Sequence, residues 1–146
     1  GSIQLMSAGT GVTHSEYNPS ETEPTHFLQI WIEPHTRGLE PSYQERELPE
    51  GGLTNRWQLL MGPDEKEEAL RIHQDARVYA ARLEAGHSLE VPAQSGRKGY
   101  LHVVDGRISV DEQPLGKGDA LQIENESSFP ITTPSGAEVL FFDLPA

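Results

Sequence analysis

Residues 100–123 read YLHVVDGRISVDEQPLGKGDALQI. Three short runs of alternating or β-branched residues, 100–104, 107–110 and 120–123, lie between two glycine-bearing punctuations. Asp105-Gly106 has the composition of a two-residue hairpin turn, and residues 115–119 (LGKGD) read as a second tight connection. The same grammar extends in both directions. Runs of strand character recur at 25–32, 57–61, 71–73, 78–83, 87–91, 129–132 and 138–144, and fourteen Gly and eleven Pro break the chain between them. Short strands spaced about ten residues apart predict a sandwich or a barrel. The sequence predicts an all-β protein.

Residues 25–32 (THFLQIWI) put Leu28, Ile30 and Ile32 on one face and Phe27, Gln29 and Trp31 on the other, the pattern of a strand covered on both sides. Residues 63–70 (PDEKEEAL) open with Pro and acids as a helix start does, but lack an apolar stripe, and a solvated loop accounts for them as well. Residues 33–53 combine Pro-or-Gly clusters with few aliphatic side chains and match no strand period. Loops of that length are uncommon inside compact domains, so the stretch reads as a connection between units. Residues 57–146 then form a complete unit of some nine strands, while residues 1–32 supply two or three.

Composition narrows the function. The 146 residues suit one domain, or a domain plus a remnant, and are too few for two full domains. Twenty-three acidic residues against eleven basic ones give a net charge of −12. That argues against phosphate-backbone binding and against anionic membranes, both of which depend on Lys and Arg. With no cysteine there are no disulfides, thiolate metal sites or thiol nucleophiles. No apolar run approaches the ~20 residues of a membrane span, and no signal peptide opens the chain. The expectation is a soluble, cytoplasmic, acidic protein without nucleic-acid or membrane partners.

The chemistry concentrates in Gly9-Thr10-Gly11-Val12-Thr13-His14-Ser15-Glu16. On a strand, His14 and Glu16 would emerge from one face about 6.5–7 Å apart along the chain. An imidazole and a carboxylate at that spacing can share one metal ion, and a nitrogen-oxygen set with open positions suits iron, manganese or nickel. The Gly-x-Gly before them would supply the turn that delivers the histidine. The residues alone favour the plainer reading, two solvated side chains at a strand end.

Residues 6–16 (MSAGTGVTHSE), followed by Glu23-Pro24, residues 27–32 (FLQIWI) and residues 37–41 (RGLEP), closely resemble the pirin family. Residues 72–76 (IHQDA) and 138–145 (EVLFFDLP) resemble its bacterial branch, and the likeness covers almost the whole chain. The resemblance implies a cupin double-stranded β-helix, a jelly-roll barrel, in a two-domain protein sometimes described as a quercetin 2,3-dioxygenase. It implies a single metal, usually Fe(II), held in the N-terminal cupin by three His and one Glu, with His14 and Glu16 matching the last two. The other two family ligands are an upstream His-x-His pair with no counterpart here. The chain opens on Gly1-Ser2, which reads like the scar of a cleaved tag, and enters the family pattern in mid-strand. The expectation is therefore a fragment: a remnant of the N-terminal cupin over 1–36, a linker over 37–56, and the C-terminal cupin over 57–146. Within that second cupin the family ligand positions carry Pro92, Gln94, Ile131 and Thr133, which implies a metal-free barrel.

The remaining histidines are weaker candidates. His26 is placed to support a metal ligand through a hydrogen bond, although a strand-edge position explains it more simply. His35 reads as solvated, His87 as a turn residue, and His73 and His102 as strand residues. Arg97-Lys98 reads as a solvated loop tip. No Gly-x-Ser-x-Gly, P-loop or dinucleotide fingerprint is present.

Two functions from different classes follow. In the first, the parent is an iron-dependent dioxygenase acting on a flavonol-like small molecule, and this chain alone holds metal weakly and turns nothing over. In the second, it is a non-catalytic, metal- or redox-sensing module for a protein partner, or structural support for the metal domain. Apolar faces on residues 27–32 further predict homodimerisation or strand exchange through residues 3–32, or packing of that segment onto the barrel.

Overall fold

The computed structural model describes residues 1–64 and 69–146. Among them are eleven strands and no helix. β1 (Ser2–Ser7) and β2 (Ser42–Glu47) form an antiparallel pair of their own. The other nine are β3 (Gln58–Gly62), β4 (Leu70–Arg71), β5 (Arg77–Leu83), β6 (Ser88–Val91), β7 (Lys98–Val110), β8 (Gln113–Gly116), β9 (Ala120–Glu124), β10 (Phe129–Thr132) and β11 (Ala137–Leu144). They make one curled sheet in the order β4-β3-β5-β11-β7-β10-β6, with β8 and β9 also paired to β7. The all-β expectation holds. No helix of the described residues is long and apolar enough to cross a membrane.

Alternation along the central strands builds two cores. In β5 and β11, Ala81, Leu83, Val139 and Phe141 face inward with Leu101, Val103, Ile123 and Ile131, while Val78, Ala80 and Leu140 face outward to Leu60, Met61, Leu70 and Ile72. Strands covered on both faces must be apolar at odd and even positions alike, as EVLFF is. Phe141 anchors the inner core, its ring 6.0 Å from that of Trp57 and 6.2 Å from that of Tyr79, within the range of favourable aromatic pairs.

Several expectations need correcting. Asp105-Gly106 is not a hairpin. β7 runs through it as one thirteen-residue strand. Leu101 and Val103 face the inner core before it and Ile108 after it, a change of parity that a period-two strand achieves only with one extra residue. The register slips there: Glu138 pairs with Asp105, but Val139 pairs with Val103. Beyond Gly106, β7 leaves β11 and pairs with β8 and β10, turning the corner of the barrel. The hairpin turn is instead Asp111-Glu112, both with positive φ (45° and 68°), between the paired residues Val110 and Gln113. The connection at 115–119 does form as expected, closed by bonds of 2.9 Å from Asp119 N to Gly116 O and 2.8 Å from Gly116 N to Asp119 Oδ2.

Residues 33–53 are not without structure, because β2 lies inside them and pairs with β1 from Ser2↔Glu47 to Ser7↔Ser42. β2 is polar throughout, so no apolar period betrays it. Its inner face is Gln44 and Arg46, both half-buried. Gln44 stands in for a strand backbone: its Nε2 donates to Arg71 O (3.1 Å) and its Oε1 accepts from Arg71 N (3.2 Å), which ties the small sheet to β4. Ile3 of β1 is buried among the outer core residues.

Residues 25–32 form no strand and are not covered. Trp31 is 88% exposed and Phe27 64%. Apolar alternation makes a strand only where a neighbouring strand takes up its N–H and C=O groups, and no described ladder includes this segment. Its C-terminal end is anchored nonetheless: Ile32 packs on the outer core, Gln74 Nε2 donates to Glu33 O (2.8 Å), and His35 N donates to His73 O (2.8 Å). His73 follows β4 rather than lying in it. Of the helix-or-loop stretch 63–70, residues 65–68 lie outside the described residues, and Leu70 belongs to β4.

Arg97 is no solvated tip. Its Nε lies 2.5 Å from Asp143 Oδ1 and its Nη1 2.9 Å from Asp75 Oδ2, and Arg77 Nη1 stands 3.6 Å from Asp143 Oδ2. Asp143 is buried at the end of β11, so this guanidinium bridges a core carboxylate to the loop before β5.

Candidate functional site

The small sheet has two different faces. Ile3, Leu5, Gln44 and Arg46 turn toward the barrel, which leaves Gln4, Met6, Tyr43 and Glu45 on the other side. Met6 is paired directly with Tyr43, and Gln4 with Glu45. Beyond Ser7 the ladder stops, because the partner strand begins at Ser42 and Pro41 before it has no N–H to offer.

The chain then turns. Gly11 N donates to Ala8 O (2.8 Å) and Thr10 N to Leu39 O (3.0 Å). Gly9 has φ +53°, and a Cβ there would fall 2.0 Å from Leu39 O. Only glycine lets the two backbones approach this closely. The Gly-x-Gly turn expected from the sequence is therefore present, and its close approach sets Val12, Thr13 and His14 against Pro41, Ser42 and Tyr43. Together with Met6 these residues line an open groove of about 290 Å³.

His14 lies in that groove, but not on a strand. Residues 12–20 belong to no strand ladder, and both His14 and Glu16 are exposed. The same-face strand geometry expected for the pair is corrected accordingly. Tyr43 shares the groove with His14, and the charge of Glu16 acts on its phenol. The Tyr43 hydroxyl donates to Glu45 Oε2 (3.1 Å), and Gln4 Nε2 donates to Glu45 Oε1 (3.3 Å). Partial withdrawal from water, then the bond to Glu45, then the charges of Glu45 and Glu16 raise the phenol above its usual pKa, so it remains an O–H donor. Past Glu16 the chain closes on itself at residues 18–23, where Ser20 N donates to Asn18 Oδ1 (3.1 Å) and Glu23 N to Ser20 Oγ (2.9 Å).

The donor chemistry of His14 and Glu16, one nitrogen and one carboxylate oxygen, fits a divalent transition metal. Their number does not complete a site: among the described residues no group of three or more His, Cys, Asp or Glu could hold an ion together. His26 is not among the groove residues; its ring instead acts on Asp105, whose carboxyl is held below its usual pKa chiefly by the hydrogen bond and charge of Lys117. In the barrel, Ile131 is fully buried in the inner core. The Thr133 hydroxyl donates to Arg107 O (2.7 Å) and accepts from Gly136 N (3.0 Å). Tyr43 escaped sequence reasoning because β2 did.

A family model described as Pirin matches residues 1–32, and one described as the quercetinase C-terminal cupin domain matches residues 59–144. The quercetin 2,3-dioxygenase of Escherichia coli K12 is 37% identical over 145 residues, covering 99% of this chain and 62% of that protein. A pirin-like protein of Caulobacter vibrioides is 37% identical over 144 residues, 98% of this chain and 62% of its own length. The crystal structure of bacterial pirin YhhW from Escherichia coli in complex with nickel(II) superposes with a TM-score of 0.89 at 37% identity, over 99% of this chain and 62% of that one. The chain thus spans about three-fifths of the length of these relatives.

Proposed function

The chain belongs to the pirin family of cupins, and from that premise we propose that it contributes His14 and Glu16 to a divalent metal centre of the quercetin 2,3-dioxygenase type, with iron as the metal and a flavonol as the substrate. The observation that carries this reading is the groove that holds His14 beside Tyr43, within reach of the Glu16 charge. Two relatives support it in words: one named a quercetin 2,3-dioxygenase, the other a pirin in complex with nickel(II). Such an ion supplies Lewis-acid polarisation of a substrate oxygen and one-electron exchange. The chain's own residues do the rest. His14 offers a ring nitrogen, Glu16 a negative charge, and Tyr43 a hydroxyl that remains protonated. Two ligands hold a metal weakly, so this chain by itself is proposed to be inactive, with further ligands coming from outside its described residues. The division into an N-terminal cupin portion over 1–36, a connection over 37–56 that includes β2, and a C-terminal cupin over 57–146 is part of the same proposal.

Equilibrium dialysis against ferrous iron under argon, followed by elemental analysis, tests the ligand assignment. Wild-type chain is expected to take up iron, and His14→Ala and Glu16→Gln to bind it at least about tenfold more weakly, since even indirect support of a ligand is worth that much. Equal uptake by all three proteins would remove His14 and Glu16 from the centre.

The exposed, unladdered residues 25–32 favour a second reading, an interaction module whose segment pairs edge to edge with a second copy of the chain. Sedimentation equilibrium would then give twice the chain mass for wild type and the single mass for Trp31→Lys. A wild-type monomer at all concentrations excludes this reading.

A further inference from the structure

We propose that Asp105-Gly106 is a site of spontaneous modification, where the chain isomerises to an isoaspartyl linkage, and that Lys117 restrains the reaction. It is the one place in the sequence where Asp or Asn precedes Gly. The nucleophile in such a rearrangement is the backbone nitrogen after the aspartate, and a glycine leaves that nitrogen unscreened by any Cβ. The bonds balance with water as the only co-reactant. Gly106 N attacks Asp105 Cγ, the N–H proton and the carboxyl hydroxyl leave as water, and a five-membered succinimide forms. Water then opens the ring at either carbonyl. Opening at Cγ restores the aspartate. Opening at the main-chain carbonyl leaves the backbone running through Cβ, one methylene longer and unchanged in mass.

Three features of the fold favour attack here. Asp105 sits at the register slip between β7 and β11, and its side chain is 67% exposed, so water reaches it. Gly106 takes a φ of +78° where β7 is about to leave β11. Its N–H is a hydrogen-bond donor to the Asp105 carboxylate, which sets the nucleophile against the group it attacks. One feature opposes the reaction. Lys117 Nζ stands 3.1 Å from Asp105 Oδ1, and its bond and charge are the leading reasons that this carboxyl titrates below the usual range. Only the protonated carboxyl has a hydroxyl to lose; the carboxylate is a poor electrophile. Lys117 is carried by a connection that clamps β7, with Gly118 N donating to Val103 O (2.9 Å) and Val103 N to Asp119 O (3.0 Å). The His26 ring is a second group that lowers the Asp105 pKa, while Glu138, paired with Asp105 across β11, is engaged by Arg82. An exposed ion pair such as Asp105–Lys117 adds little to stability. Its effect is on the rate of the chemistry.

The test is peptide mapping of the full chain after ageing in its folded state at neutral pH. Trypsin releases residues 99–107 (GYLHVVDGR). The isoaspartyl form of that peptide has the same mass, elutes apart from it and is identified by electron-transfer fragmentation. Wild type is expected to accumulate it slowly. Lys117→Met is expected to do so at least about twofold faster, because each pK unit regained by the carboxyl multiplies its protonated fraction tenfold. Thermal unfolding of Lys117→Met should match that of wild type, which separates a lost restraint from a loosened fold. Asp105→Asn has no charge to be held, since its amide loses ammonia in place of water, and is expected to react faster than both. No isoaspartate at Asp105 in wild type and in Lys117→Met, or a folded Asp105→Asn chain that stays intact, would show that the strand keeps nitrogen and carbon apart, and overturns the site. Lys117→Met that reacts no faster than wild type overturns the restraint.

Discussion

Replacing Arg97 by alanine is expected to lower the stability of the chain by about 3 kcal/mol, and its midpoint of thermal unfolding by roughly 10 °C. The reason lies in Asp143, whose side chain is only 4% exposed. Removing the guanidinium leaves that carboxylate desolvated and, among the described residues, facing only Arg77, 3.6 Å away. Breaking a buried pair from one side costs far more than the pair is worth. Arg82→Ala is the matched control: Arg82 also bonds a carboxylate, Glu138 at 2.8 Å, but its side chain is 60% exposed, so the loss should stay below about 1 kcal/mol. A cost for Arg97→Ala no larger than for Arg82→Ala would mean that Asp143 is not held by Arg97. Changing both partners, Arg97→Met with Asp143→Leu, should recover much of the loss, because the stranded charge disappears.

The same guanidinium sets an acid limit. Its hydrogen bond and charge hold the Asp75 carboxyl below the usual carboxylate range. A depressed folded pKa means that the contribution is present above the unfolded value and is lost as pH falls through the folded one. In Arg97→Ala the Asp75 carboxyl should therefore titrate at higher pH than in wild type, an upward shift that carbon-detected NMR reads directly.

Gly106→Ala is expected to cost about 3 kcal/mol, from two sources of comparable size. With φ at +78°, any side chain pays for the left-handed backbone. A Cβ there would also fall 2.2 Å from Gly136 O, so the β7–β11 bulge would have to open. Gly118 separates the two terms. Its φ is +87°, but nothing lies within 4 Å of a Cβ built on it, so Gly118→Ala should cost only about 1 kcal/mol. Chemical denaturation of both variants checks the difference. Equal losses would show that backbone conformation alone matters at Gly106 and that the close approach is not a constraint.

How far the sequence carried can be judged at particular residues. The runs at 78–83, 129–132 and 138–144 became β5, β10 and β11 within a residue, because a strand packed on one or both faces must show its burial in its side chains. His14 and Glu16 stood out through a motif whose resemblance pointed to metal chemistry. Tyr43 did not stand out, since SYQERE pairs through its backbone and its long side chains leave no apolar stripe. Asp105-Gly106 misled for a related reason. A glycine with positive φ after an aspartate serves a turn and a bulge equally well, and only the register against β11 tells them apart.

By itself, then, the sequence determined the class of the fold, the pirin-like front motif and the acidic, cysteine-free character of the chain, because periodicity, composition and short motifs are local properties. The tertiary structure decided everything that depends on a distant partner. It fixed which extended segments found a ladder, that Gly9 meets Leu39 and so opens a groove at His14, and that Arg97 reaches forty-six residues along the chain to a buried Asp143. A hydrogen bond, an ion pair or a close approach needs two groups. The position of the second is set by the folded chain and is written at neither site alone.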